Sequence, residues 1–292
     1  MQINSRFAGA PLRTHTVTIT QRHATNFAAS IGDANPCYLD DEREGGLVAH
    51  PMIVSALTWP ASLNIGEYLL AEDFPAHLNK MQVHFSETIL WHAPMTPGMT
   101  LTLTGTLAAI LPHPGGTHMV LRYDAHDEKQ RLIFTEYTGA ILRNVKCVPE
   151  GKGRETLPTV PSAKSAAEPL WQSPIPIDPL AAYLYDAGAD ISFPIHTSPA
   201  FAHSVGLPGT ILHGTATLGI AVRELLNREA GCDPNRLQQL SCRFTDMVIP
   251  GTTITVSLGE RLETDSHIDL FFSVLTERGK RAISGGHARI AK

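Results

Sequence analysis

One pattern in the sequence occurs twice. NPCYLDDEREGGLVAHP, from Asn35 to Pro51, runs from a proline through a polar stretch to a histidine that opens an apolar run. FPIHTSPAFAHSVGLPGTILHG, from Phe193 to Gly214, does the same. An internal repeat constrains a fold more tightly than composition does, because each copy must build the same supersecondary unit.

The flanks repeat as well. THTVTIT alternates like a strand, and Thr20 is placed to cap a helix through QRHATNFAASIG. In the second copy the strand is weak, but Asp178-Pro179 marks a helix start before LAAYLYDAG. Each quoted stretch precedes an apolar segment, MIVSALTWPASLNIGEYLL in one copy and TATLGIAVRELLNREAG in the other. Leu218, Ala221, Val222, Leu225 and Leu226 recur at helical spacing, which predicts a buried central helix ending near Gly231. Strands follow in both copies, with Pro97-Gly98 and Pro250-Gly251 as matching turns. The offset between equivalent residues is not constant, so insertions separate the copies. HPGGTH, His113 to His118, reads as a hairpin turn and not as a metal site.

Residues 148–176 are dense in Pro, Gly, Ser and Lys without periodicity, which predicts a linker. The expected domains are therefore residues 1–147 and 177–292. The fold class implied is α+β, two antiparallel sheets each wrapped around a central helix, and pairing of the halves would protect the sheet edges.

Net charge is -5 and no basic stripe appears, which argues against a nucleic-acid surface. No apolar run reaches the ~20 residues of a membrane span. The four cysteines are scattered with no CxxC pair, so a zinc knuckle is not indicated and a reducing cytoplasm is the expected setting. No P-loop, HExxH, GxSxG or GxGxxG is present, so no metal or nucleotide cofactor is expected.

PIH followed by LPGTILHGTATLG, together with GDANPCY in the first copy, resembles the MaoC-like hydratases and dehydratases. The resemblance implies a double hotdog fold and a cofactor-free enzyme. Its substrate would be a trans-2-enoyl thioester of coenzyme A or carrier protein, hydrated to an (R)-3-hydroxyacyl thioester or formed by the reverse dehydration. It also implies an Asp and a His five residues later that hold the water, and a glycine amide that binds the thioester oxygen. Carried onto this chain, the His is His196 and the glycine is Gly214. The residue five before His196 is Ile191, so Asp190 is taken as the acid partner through a one-residue bulge. Ser192 is a polar substitute for the motif's Asn, whose own position holds Phe193, and His213 is a supporting residue. Arg243 is a candidate for contact with a coenzyme A phosphate or an acidic acyl group. A homodimer is the expected assembly.

The first copy has Tyr38 and Pro51 where the second has His196 and Gly214. Proline has no N–H to offer an oxyanion, and a tyrosine is a poor base at neutral pH. The second half is therefore expected to be catalytic and the first to shape the pocket. Two alternatives stay open on the residues alone: a hotdog thioesterase using Asp190, and a non-catalytic acyl-thioester binding protein.

Overall fold

The structure, a computed structural model, describes residues 1–164 and 168–292. Residues 165–167, part of the expected linker, lie outside the described residues. In chain order the elements are β1 (Gln2–Asn4), β2 (Pro11–Thr18), α1 (Gln21–Ser30), α2 (Pro36–Leu39), α3 (Val54–Leu63) and α4 (Ile65–Tyr68). Strands β3 (Gln82–Trp91), β4 (Thr100–His113), β5 (Gly116–His126), β6 (Leu132–Arg143) and β7 (Lys146–Val148) follow. The second repeat holds β8 (Trp171–Pro176), α5 (Ala181–Ala189), α6 (Pro194–Thr197), α7 (Pro199–Ser204) and α8 (Gly214–Glu229). It closes with β9 (Leu237–Phe244), β10 (Thr253–Glu263), β11 (His267–Thr276) and β12 (Arg281–Ala291).

Two compact units form, and they are not the two repeats. The first comprises Met1–Val17, Leu57–Ala93 and Thr100–Val160; the second comprises Thr18–Ala56, Pro94–Met99 and Pro161–Lys292. The start of the first repeat thus packs with the second.

In the first unit the sheet order is β2-β4-β5-β6-β3. The HPGGTH turn closes the β4–β5 hairpin, with His113 paired to Gly116. Alternation puts Leu121, Tyr123 and Leu142 on one face, and they share a core with Ala61 of α3 and Ile65 of α4. The apolar run expected as a central helix is broken here. It becomes a 3₁₀ turn over Pro51–Ile53, then α3 with Pro60 inside it, then α4 after Asn64. Proline removes a helical donor and crowds the preceding turn, so one long helix is not favoured.

The sheet of the second unit is ordered β9-β12-β11-β10-β8. Its α8 matches the predicted central helix, with Leu218, Ala221, Val222, Leu225 and Leu226 buried. The expected linker proved to hold a strand at its end. In WQSPIP, β8 pairs with β10 from Trp171 to Pro176 and forms the edge of this sheet. Pro174 and Pro176 hid the strand in the sequence, yet an edge is where a strand tolerates proline. Trp171 Nε1 donates to Glu229 at 2.7 Å and Ser173 Oγ to Glu224 at 2.8 Å, tying β8 to α8.

Helix α1 starts as expected, with Thr20 Oγ1 accepting the His23 amide at 3.1 Å. It packs closely on α5. A Cβ at Gly188 would meet Ser30 Cβ at 2.6 Å and the Asn26 carbonyl at 2.7 Å, so only glycine permits this approach. Among the described residues no helix is long and apolar enough to cross a membrane.

Candidate active site

The two copies of the motif can be compared within the second unit, since both lie there. Helix α1 ends in Gly32, left-handed at φ 66°, and α5 ends in Asp190, left-handed at φ 58°. Asn35 caps α2 and Phe193 caps α6, each three residues further on, and Pro36 and Pro194 open those helices. The register between copies is therefore unbroken. Asp190 stands where the first copy has Gly32, and Ile191 stands where it has Asp33.

This corrects the expected bulge at Asp190. The left-handed turn leaves Asp190 exposed, and among the described residues its carboxylate makes no hydrogen bond or ion pair. Asp190 and His196 are not brought into a hydrogen bond. Ser192 is likewise exposed and unbonded among the described residues. Arg243 projects from β9, exposed, opposite Ser284, without an ion pair among the described residues.

His196, Ile211, His213 and Gly214 do converge. Pro194 at the first helical position pre-sets α6, which carries His196 on its single turn. The Ile211 amide donates to Ile195 O at 3.3 Å, and His196 Nδ1 meets Ile211 O at 2.8 Å. A carbonyl only accepts, so Nδ1 carries the proton and Nε2 keeps its lone pair. Nε2 has no protein partner among the described residues and is not enclosed. Burial holds the His196 ring down at about 4, against a weaker opposing effect of the Ile211 carbonyl, so the ring is neutral at pH 7.

The His213 ring is 2% exposed and stacks on His196, centroid to centroid 3.6 Å with planes 23° apart. Its Nε2 donates to Ile191 O at 3.0 Å. Burial first, and the neighbouring His196 second, push the His213 ring down to about 2. Gly214 follows as the first residue of α8, whose first internal donor is the Thr217 amide to His213 O at 3.1 Å. The amides of Gly214, Thr215 and Ala216 meet no acceptor among the described residues. Such a helix start is a ready acceptor of negative charge, from its free donors and its dipole together.

The first copy is closed by comparison. Asp33, Tyr38 and His50 are 3%, 1% and 0% exposed. Asp33 Oδ1 accepts the Asn35 amide at 3.1 Å, and Asp33 Oδ2 lies 3.7 Å from His50 Nε2. Burial raises the Asp33 carboxyl, and burial with the Arg223 charge lowers His50 to about 3. His50 Nδ1 takes the Met52 amide at 3.1 Å, and Pro51 has none to give.

Residues 162–269 match the model of the MaoC like domain, and residues 6–134 match that of the FAS1-like dehydratase domain region. The peroxisomal enoyl-CoA hydratase 2 of Arabidopsis thaliana is 32% identical over 108 residues, 37% of this chain and 33% of that protein. The chain spans a third or less of the length of three of the curated relatives it matches. A MaoC-like dehydratase from Phytophthora capsici superposes with a TM-score of 0.82 at 24% identity, covering 97% of this chain and 96% of the other. A Mycobacterium tuberculosis protein described as a double hotdog superposes with a TM-score of 0.61 at 15% identity, covering 97% and 96%. Residues 162–269 form a MaoC-like domain, and the chain has the double hotdog fold.

Proposed function

We propose that the protein adds water to trans-2-enoyl-CoA thioesters, or removes it from the 3-hydroxyacyl products, at His196 and the start of α8. One observation carries this reading. A neutral imidazole with an open Nε2 is stacked on the residue that precedes a helix start with unclaimed amides.

The chemistry follows from those parts. The thioester oxygen takes up negative charge as water attacks the β-carbon, and the Gly214 amide stabilises it there. His196 Nε2 accepts a proton from the attacking water and returns it to the α-carbon. The O–C bond forms at the β-carbon, the C–H bond forms at the α-carbon, and the C=C bond is consumed. Coenzyme A enters as part of the substrate. Asp190 makes no hydrogen bond to the ring, so His196 is assigned both transfers. The expected product is the (R)-3-hydroxyacyl thioester, as the family resemblance implies. All four cysteines are unpaired, which fits a reducing cytoplasm.

The test uses crotonyl-CoA and longer, branched and carboxylated enoyl-CoAs. Loss of the conjugated ultraviolet absorbance without thiol release supports the reading, and chiral analysis assigns the product. Thiol release, or no reaction across the panel, sinks it.

A further inference from the structure

Each repeat places a histidine at the residue before its apolar segment, with nearly the same backbone. His50 has φ -58°, ψ 135° and His213 has φ -57°, ψ 138°. Their rings do opposite things. The His50 ring turns onto its own helix start and takes the Met52 amide. The His213 ring makes no such capping bond. It reaches back instead to the Ile191 carbonyl, at the position equivalent to Asp33.

We propose that His213 is a positioning residue, which by stacking holds the His196 ring in the plane where Ile211 O keeps its Nδ1–H form, and which leaves the Thr215 amide open beside that of Gly214 by declining to cap it. This rests on the hydratase reading above. The stack fixes the plane of the His196 ring, and the bond from Nδ1 to Ile211 O fixes its rotation within that plane. Together they leave one direction for Nε2. Positioning at this precision governs rates, because a displacement of about 1 Å in a reacting group costs roughly a hundredfold.

The arrangement has a visible cost. His213 Nδ1 is enclosed and lacks a hydrogen-bond partner among the described residues. A buried nitrogen left unpaired is destabilising. The first copy also encloses a ring nitrogen unpaired among the described residues, His50 Nε2, but its Nδ1 takes the Met52 amide, the counterpart of Thr215. Such unpaired groups persist where the alternative would obstruct function.

The experiment reads imidazole nitrogens directly by two-bond ¹H–¹⁵N correlation on the full chain. His196 is expected as Nδ1–H and His213 as Nε2–H, both neutral from pH 8 down to about pH 5. His196 seen as Nε2–H overturns the proposal even if no variant folds. His213→Ala is expected to lower kcat by about tenfold to a hundredfold, the cost of displacing a reacting group by up to about 1 Å, with a smaller change in KM. In that variant His196 should exchange between tautomers. His213→Phe keeps a stacking ring and should recover part of the loss. Unchanged kcat and tautomer in His213→Ala also overturns the proposal. The spectra need no substrate, so the stated tautomers in a protein that hydrates nothing would remove the hydratase reading, whereas reversed tautomers in an active enzyme would remove His213 from its role.

Discussion

A Cβ on Gly214 would lie 3.0 Å from Cδ1 of Phe244, closer than such atoms normally approach. Glycine therefore serves two ends here, an open amide and contact with an aromatic ring. The two are separable by substitution. Gly214→Pro copies Pro51 of the first repeat, and the first helical position accepts proline without loss of the helix. Its kcat/KM should fall by about a hundredfold or more, the worth of one oxyanion donor. Gly214→Ala keeps the amide and need only displace the Phe244 ring, so its loss should be smaller. Initial rates on crotonyl-CoA, with circular dichroism to confirm folding, distinguish these outcomes.

The neutral His196 ring predicts an unusual acid limb. The active form is unprotonated and burial lowers the ring to about 4. Activity should therefore be full at pH 7, persist at pH 5.5, and fall only as pH drops through about 4. An exposed histidine would lose it near pH 6.5. A pH profile of kcat/KM checks this, provided the protein stays folded over the range.

Asp190→Asn is a clean test of the expected acid partner, because asparagine also accepts a left-handed backbone. The exposed carboxylate makes no hydrogen bond or ion pair with His196 or any other side chain among the described residues. The rate should stay within about threefold of the unaltered protein, below the ~1.4 kcal/mol of a tenfold change. A hundredfold loss would restore Asp190 to the mechanism.

A further prediction concerns stability. In the first unit Glu87 and Glu136 are 1% and 0% exposed, on the sheet face that also carries Tyr123. Their polar neighbours are each other, Thr58, Thr138 and His84, whose Nε2 is 3.0 Å from Glu87 Oε2. Burial raises Glu87 to about 8, and burial with the adjacent carboxyl raises Glu136 well above the usual range. The folded chain thus holds protons that the unfolded chain releases. Above about pH 7 the buried histidines are neutral in both folded and unfolded chains, so stability should fall there as pH rises through about 8, at roughly 1.4 kcal/mol per pH unit for each proton retained. Glu136→Gln should flatten that slope and melt higher at pH 8.5. Thermal unfolding across pH reads both effects, and a slope unaltered by the substitution would refute this account.

Local signals in the sequence were reliable where one element decided the outcome. Thr20 capped its helix, HPGGTH turned its hairpin, and the Leu218 to Leu226 stripe was buried. Legibility failed where distant parts meet. The orientation of the His213 ring depends on the Ile191 carbonyl, and that of His196 on the Ile211 carbonyl. Nothing in the spelling of either motif announces a backbone partner. Asp190 misled because residue spacing does not show a left-handed turn. Glu87 and Glu136 sit in alternating strands where charge normally marks the solvent side, so their burial was also invisible.

Because Thr18–Ala56 folds with the later half, the boundaries of the repeat do not coincide with those of the compact units. A gene fragment that begins after the linker would encode a repeat deprived of α1, leaving the glycine-smoothed flank of α5 bare. The first repeat lends Thr18–Ala56 and Pro94–Met99 to the unit built on the second, and neither repeat is a portable module.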